Sequence, residues 1–127
     1  MNLIDFNPGI ILDGEEIAVS FGGREVWRIH WGDVVEIVIW RDEQGGGDGL
    51  CFGLRTLTMK PGEYLGVNDG ATGFAEALEE IDRRFESAYT MKWQEAVFPP
   101  MATQWAVVYG VPTGRAERAE VIWPEAA

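Results

Sequence analysis

Hydrophobic and polar residues alternate along most of the first half of the chain, which predicts a series of β-strands. Breaks at Gly22-Gly23, Gly32-Asp33 and Pro61-Gly62 are typical of the turns between such strands. The apolar positions that define the strands are Ile17, Val19, Phe21, Trp27, Ile29, Trp31, Val35, Ile37, Ile39, Leu50, Phe52 and Leu54, with a shorter strand at Tyr64 to Val67. Consecutive hairpins of this kind predict an antiparallel meander that curls to hide its apolar face.

The period changes after Thr72, where one amphipathic helix is predicted over about residues 73–86. Its apolar stripe has the spacing of one helical face and consists of Phe74, Ala77, Leu78, Ile81 and Phe85. Thr72 is the predicted N-cap. The stripe needs a sheet to cover, so the sequence predicts an α+β fold.

The remainder of the chain predicts one further strand, Gln104 to Tyr109, and then a looser composition. We therefore expect a single globular domain over residues 1–110 and a C-terminal tail over residues 111–127. Within the tail only Val121-Ile122-Trp123 is strongly apolar. Whether the tail packs on the domain stays open at this point.

The composition excludes several classes of partner. The chain has 127 residues and a net charge of −11, which repels nucleic-acid phosphates and anionic lipid surfaces. The first residues lack the features of a signal peptide, and no apolar run is long enough to span a membrane. We expect a cytoplasmic protein that binds neither nucleic acid nor membrane and whose partner, if it has one, is basic.

The residues that usually carry catalysis or bind metals are scarce. The chain has one histidine, His30, and one cysteine, Cys51, on different predicted strands, and neither has an obvious helper group. One of each cannot supply the usual zinc ligands, and no nucleotide-binding loop is present. We expect no catalytic residues, no metal site and no cofactor, with Cys51 buried in a strand.

Trp40 stands out because it shares its predicted strand face with Glu36. Another segment covers it, or it lies on a surface that binds a partner or ligand. The loop that follows contains Asp42, Glu43 and Asp48 around three glycines, and its spacing does not fit a calcium-binding loop. Trp40 and these three acids are the candidate binding residues.

The string RIHWGDVVEIVI, Arg28 to Ile39, resembles the Trp-x-Asp/Glu-hydrophobic signature of bacterial pleckstrin-homology-like and GRAM-type domains. The resemblance covers Gly9 to Glu86 and implies a partial barrel packed by one helix. The strings DGLCF (residues 48–52), GF (73–74) and VFPPMAT (97–103) are also similar to a group of small uncharacterised bacterial proteins. Lipid-binding members of the first family carry basic residues in the first hairpin, whereas Leu12 to Ile17 here reads LDGEEI.

Two functions are compatible with these observations. The first is a non-enzymatic interaction module, such as an immunity or adaptor protein, whose acidic surface meets a cationic protein. The alternative is a small protein that binds an apolar ligand between the curled sheet and the helix, or on the Trp40 face.

Overall fold

A computed structural model describes residues 8–41, 49–89, 106–110 and 120–124. The strands in chain order are β1 (Gly9–Asp13), β2 (Glu16–Phe21), β3 (Arg24–His30), β4 (Val34–Arg41), β5 (Leu50–Thr56), β6 (Glu63–Asn68), β7 (Ala106–Tyr109) and β8 (Glu120–Ile122). The helix α1 spans Phe74–Phe85, and short 3-10 turns occupy Trp31–Asp33 and Glu86–Ala88.

The first three strands form an antiparallel sheet in the order β1-β2-β3. The β2–β3 loop is the predicted Gly22-Gly23 pair, whose φ angles of 62° and 80° are left-handed and suit the tight hairpin. Ile17 and Ile29 pair across β2 and β3 and turn one face of this sheet towards the main core. The other face is exposed and charged.

The remaining strands form a five-stranded sheet in the order β7-β4-β5-β6-β8. Neighbouring strands are antiparallel except β8, which pairs in parallel with β6. Part of the predicted tail, Glu120–Ile122, therefore belongs to this sheet. The fold is α+β and mostly antiparallel, as predicted.

Helix α1 packs against the core that both sheets line. Phe74 lies with its ring centroid 5.3 Å from that of Phe52 on β5, and Phe85 lies 6.0 Å from Trp31 and 4.7 Å from Tyr109. Ile81 is fully buried at the centre of the helix. The observed helix agrees with the predicted one to within one residue at each end.

The predicted N-cap, Thr72, is wrong. Gly73 occupies the cap position with a φ of 85°, and no side chain caps the helix there. A Cβ atom on Gly73 would lie 3.0 Å from the carbonyl oxygen of Ile10, so backbone contact with β1 leaves room only for glycine. Thr72 instead bonds to β1 through its backbone: its carbonyl accepts from Ile10 N–H at 2.8 Å, and its N–H donates to Pro8 at 2.9 Å.

The prediction of one continuous meander needs correction. The chain leaves the first sheet at β3 and enters the second at β4, across the 3-10 turn Trp31–Asp33. Trp31 lies in this turn instead of continuing β3. Across the described ranges the strands make two sheets and do not close into a barrel. In these ranges no helix has the length and apolar character needed to cross a membrane.

Candidate functional site

Trp40 lies on the face of the five-stranded sheet that points away from α1. It is 7% exposed and belongs to a second cluster of buried side chains with Val38, Cys51 and Tyr64. Trp123, which follows β8, packs against it edge to face at a centroid distance of 5.8 Å. Of the two placements that the sequence left open for Trp40, the structure therefore shows the covered one.

Two glycines provide the surface on which the Trp40 ring lies. Gly53 on β5 and Gly66 on β6 are directly opposite each other in the sheet. A Cβ at Gly53 would approach the Trp40 ring to 3.3 Å, and one at Gly66 would approach it to 3.4 Å and collide with Val121. The two glycines thus make a flat strip, the glycine strip, over which the Trp40 ring lies.

A buried ion pair lies on the same face. Glu36 on β4 and Arg55 on β5 are register partners, and Arg55 Nε donates to Glu36 Oε1 at 3.0 Å. The Glu36 side chain is fully buried, and that of Arg55 is 10% exposed. A buried ion pair is costly to break, so this cross-strand contact favours the observed register of β4 and β5.

Cys51 lies on β5 of the five-stranded sheet, and His30 lies on β3 of the three-stranded sheet. Cys51 is 1% exposed, as predicted, and its thiol lies 3.5 Å from the carbonyl oxygen of Gly49. His30 is exposed, and its Nδ1 accepts the N–H of Gly32 at 2.9 Å, which shapes the 3-10 turn. The side-chain acceptor at this turn is therefore His30.

The other candidate residues, Asp42, Glu43 and Asp48, lie outside the described residues. Their proposed role with Trp40 stays a prediction. Within the described ranges, no three His, Cys, Asp or Glu side chains come together in a way that could hold a metal ion.

The exposed face of the three-stranded sheet gathers a set of charges that the sequence analysis did not single out. Arg28 on β3 bonds to Asp13 and Glu16 at 3.1 Å each, and to Glu25 at 2.7 Å. These hydrogen bonds, first that of Glu25, raise the pKa of Arg28 above its ordinary value. We call these four residues the acidic face, because three carboxylates surround one guanidinium and leave an excess of negative charge.

The signal for the acidic face was present in the sequence. Glu16 and Arg28 stand at outward positions of two strands joined by a hairpin, and Asp13 begins the acidic turn DGEE. Charges at such cross-strand positions indicate a shared solvent face. The register that brings Glu25 to Arg28 depends on a bulge near Val19, which the alternation does not reveal.

A second ion network holds the first hairpin against α1. Arg84 donates to Glu15 at 2.8 Å, to the Gly14 carbonyl oxygen at 3.0 Å and to Glu80 at 2.7 Å. Its guanidinium also lies 5.5 Å from the ring centroid of Trp31. The hydrogen bond from Arg84 lowers the pKa of Glu15, and bonds from Arg83 and Arg84 lower the pKa of Glu80. This network orients the hairpin that carries the acidic face.

Comparison of the chain with protein-family models, with curated proteins and with solved structures gave no match.

Proposed function

We propose that this protein is a non-enzymatic interaction module that binds a cationic protein through the acidic face of its three-stranded sheet. The observation that carries the proposal is the arrangement around Arg28. Asp13, Glu16 and Glu25 have side chains that are 66%, 41% and 46% exposed, so their charge is available to a partner. The net charge of −11 adds a long-range attraction for a basic protein and steers its approach.

The described side chains support a binding role better than a catalytic one. Cys51 is buried in a strand, and the imidazole of His30 caps a turn. The three carboxylates of the acidic face all bond to the guanidinium of Arg28 at its centre, so they form a cluster of ion pairs on the surface. We place the protein in the cytoplasm, with neither nucleic acid nor lipid as its ligand.

As part of the same proposal, we use the resemblance to pleckstrin-homology-like domains to assign a role to the first hairpin. In such a fold the first hairpin is a recognition element, and here that hairpin carries Asp13, Glu15 and Glu16. The bond from Arg84 to the Gly14 carbonyl oxygen holds the hairpin in position. A hairpin with this charge suits a cationic protein in place of an anionic phosphoinositide.

The test compares the wild type with a variant in which the acidic face is neutralised, Asp13→Asn/Glu16→Gln/Glu25→Gln. Both proteins are immobilised and exposed to a host extract at low ionic strength, and the captured proteins are identified and quantified. We expect basic proteins that the wild type retains and the variant loses, with retention falling steeply as salt is added. The same captured set from both proteins would contradict the role of the acidic face.

The control for this experiment neutralises an equal number of acids on α1 and the 3-10 turn that follows it, with Glu76→Gln/Glu79→Gln/Glu86→Gln. These three side chains are exposed, and none of them belongs to the ion pairs of the acidic face. If charge alone governs binding, the control variant loses the partner to the same extent. A partner lost only by the first variant locates binding on the sheet.

A second candidate function, a binder of small apolar ligands, is favoured by one observation. The indole N–H groups of Trp27 and Trp31 are buried, and neither has an acceptor in the part of the chain that the structure describes. Buried donors are normally satisfied, so a ligand with a carbonyl or carboxylate oxygen would stabilise this region. Tryptophan fluorescence titrated with fatty acids and aromatic carboxylates tests this candidate, and a spectrum unchanged by every compound would count against it.

A further inference from the structure

We infer that the partner binds as an added β-strand on the outer edge of β3, as an extended cationic segment of another protein. The inference rests on the proposed function for the sign of the partner's charge, and it adds the binding mode. In this mode the backbone of β3 supplies hydrogen bonds, and the neighbouring acidic face selects basic side chains.

Among the strands of the described ranges, β3 is the longest one that has a neighbouring strand on one side only. It contains seven residues, and β2 is its only partner in the sheet order. The opposite edge of the same sheet differs, because Thr72 bonds to Pro8 and Ile10 there. A seven-residue edge is long enough to pair with a peptide segment of the usual strand length.

The antiparallel pairing of β2 and β3 determines which backbone groups of β3 point towards β2 and which point away from it. Trp31 N–H donates to the Glu15 carbonyl oxygen at 2.8 Å, so residue 31 is oriented towards β2. Backbone groups in an antiparallel ladder alternate in direction. Ile29 and Trp27 therefore also bond to β2, whereas the N–H and C=O groups of Arg28 and the N–H group of His30 point outward from the sheet edge.

The charges next to this edge favour a cationic segment over a second copy of the chain. A strand added beside β3 would place every other side chain on the exposed face, next to Glu25 and Arg28. That face has a surplus of carboxylates, so lysine or arginine at these positions would gain ion pairs. A second copy would bring another net charge of −11 to the same place and would be repelled.

The first experiment uses a defined probe, a peptide of alternating Lys and Val as long as β3. Its control has the same number of lysines with Pro in place of each Val, which keeps the charge and prevents strand pairing. Binding is measured at low ionic strength, and backbone amide exchange is followed by NMR with and without peptide. We expect the Lys–Val peptide to slow exchange at Arg28 and His30, while Trp27 and Ile29 are protected in the free protein too.

A pair of variants isolates one outward amide. His30→Pro and His30→Ala both remove the imidazole that caps Gly32, but only His30→Pro also removes the outward N–H. The φ of His30 is −84°, which is close to the value that proline requires, and thermal melts check that both variants fold. We expect His30→Pro to bind the Lys–Val peptide about tenfold more weakly than His30→Ala does.

The outcomes separate the two proposals. If both peptides bind equally and Arg28 and His30 exchange at unchanged rates, strand addition is wrong while a cationic partner for the acidic face stands. Equal affinities of His30→Pro and His30→Ala for the Lys–Val peptide would also overturn strand addition. If neither peptide binds to the wild type at low ionic strength, the proposed function fails together with the binding mode.

Discussion

Each of the two sheets carries an arginine–carboxylate system, and the two systems differ in their surroundings. Arg55 in the five-stranded sheet bonds to one fully buried carboxylate, Glu36. Arg28 in the three-stranded sheet is 30% exposed and bonds to three carboxylates that water also reaches. Water screens the charges of the second system much more than those of the first.

The difference indicates that the two sheets contribute differently to the stability of the fold. The five-stranded sheet has apolar clusters on both faces, including the ring of Trp40 over the glycine strip. Most residues of β4 and all residues of β5 are buried. The three-stranded sheet has one covered face and one charged face, so it can present a surface to a partner without a large loss of stability when that surface changes.

The largest loss of stability expected from this difference is the one caused by replacing Trp40. Trp40→Ala should remove about 3–5 kcal/mol from the free energy of unfolding, because it leaves a cavity above Gly53 and Gly66. Trp27→Ala, in the half-buried position of the three-stranded sheet, is the matched control and should cost clearly less. Urea denaturation of both variants measures the two values, and a small loss at Trp40 would show that this face carries little of the stability.

The buried ion pair should rank next. Arg55→Ala should cost about 3 kcal/mol, because it leaves the charge of Glu36 buried without its arginine. Arg28→Ala should shift the melting temperature far less, since water can replace the guanidinium at its three carboxylates.

A double variant sharpens this comparison. Glu36→Leu/Arg55→Met replaces both charges with apolar groups of similar size, and it should recover most of the stability lost in Arg55→Ala. Thermal melts of the three variants provide the readout. A double variant as unstable as Arg55→Ala would mean that packing, and not the unbalanced charge, sets the cost.

The smallest effect concerns how the stability of the fold changes at low pH when the ion network of Arg84 is altered. Arg84 lowers the pKa of Glu15 in the folded state, so this contact stabilises the fold above the ordinary carboxyl pKa and is lost as the pH falls through the lowered value. Arg84→Gln should therefore melt below the wild type at neutral pH, with the gap closing from about pH 5 downward. Arg83→Gln is the control, because its influence on Glu15 is minor.

An NMR titration gives an independent check. The pKa of Glu15 should rise towards its ordinary value in Arg84→Gln and change little in Arg83→Gln. A Glu15 pKa that is the same in the wild type and Arg84→Gln would contradict the ion pair between Arg84 and Glu15.

Helix α1 and most strands could be predicted because their signals are local. The stripe from Phe74 to Phe85 fits only a helical period, and Leu50, Phe52 and Leu54 alternate as a strand does. The division into two sheets could not be predicted, because Gly32-Asp33 resembles the turn of a continuing meander. The sheets are separate because β4 pairs with β5 and with β7, which is distant in sequence, and not with β3.

The placement of Trp40 illustrates the same limit for the site. Alternation assigns Glu36 and Trp40 to one face, and a glutamate on that face suggests contact with solvent. Arg55, nineteen residues further along the chain, neutralises Glu36 inside the protein and allows the face to be covered. The strand pattern of β4 contains no information about this partner, so the prediction left Trp40 between two alternatives.

The parallel pairing of β8 with β6 has a consequence for synthesis on the ribosome. β4, β5 and β6 emerge long before Val121 and Trp123, which pack against Trp40 and Gly66. Until Val121 and Trp123 have emerged, they cannot cover the Trp40 ring and the glycine strip. The nascent chain therefore exposes part of an apolar surface, which is the kind of surface that chaperones bind. Docking of Trp123 is thus a late step of folding, and a chain truncated before Val121 should stay bound to chaperones.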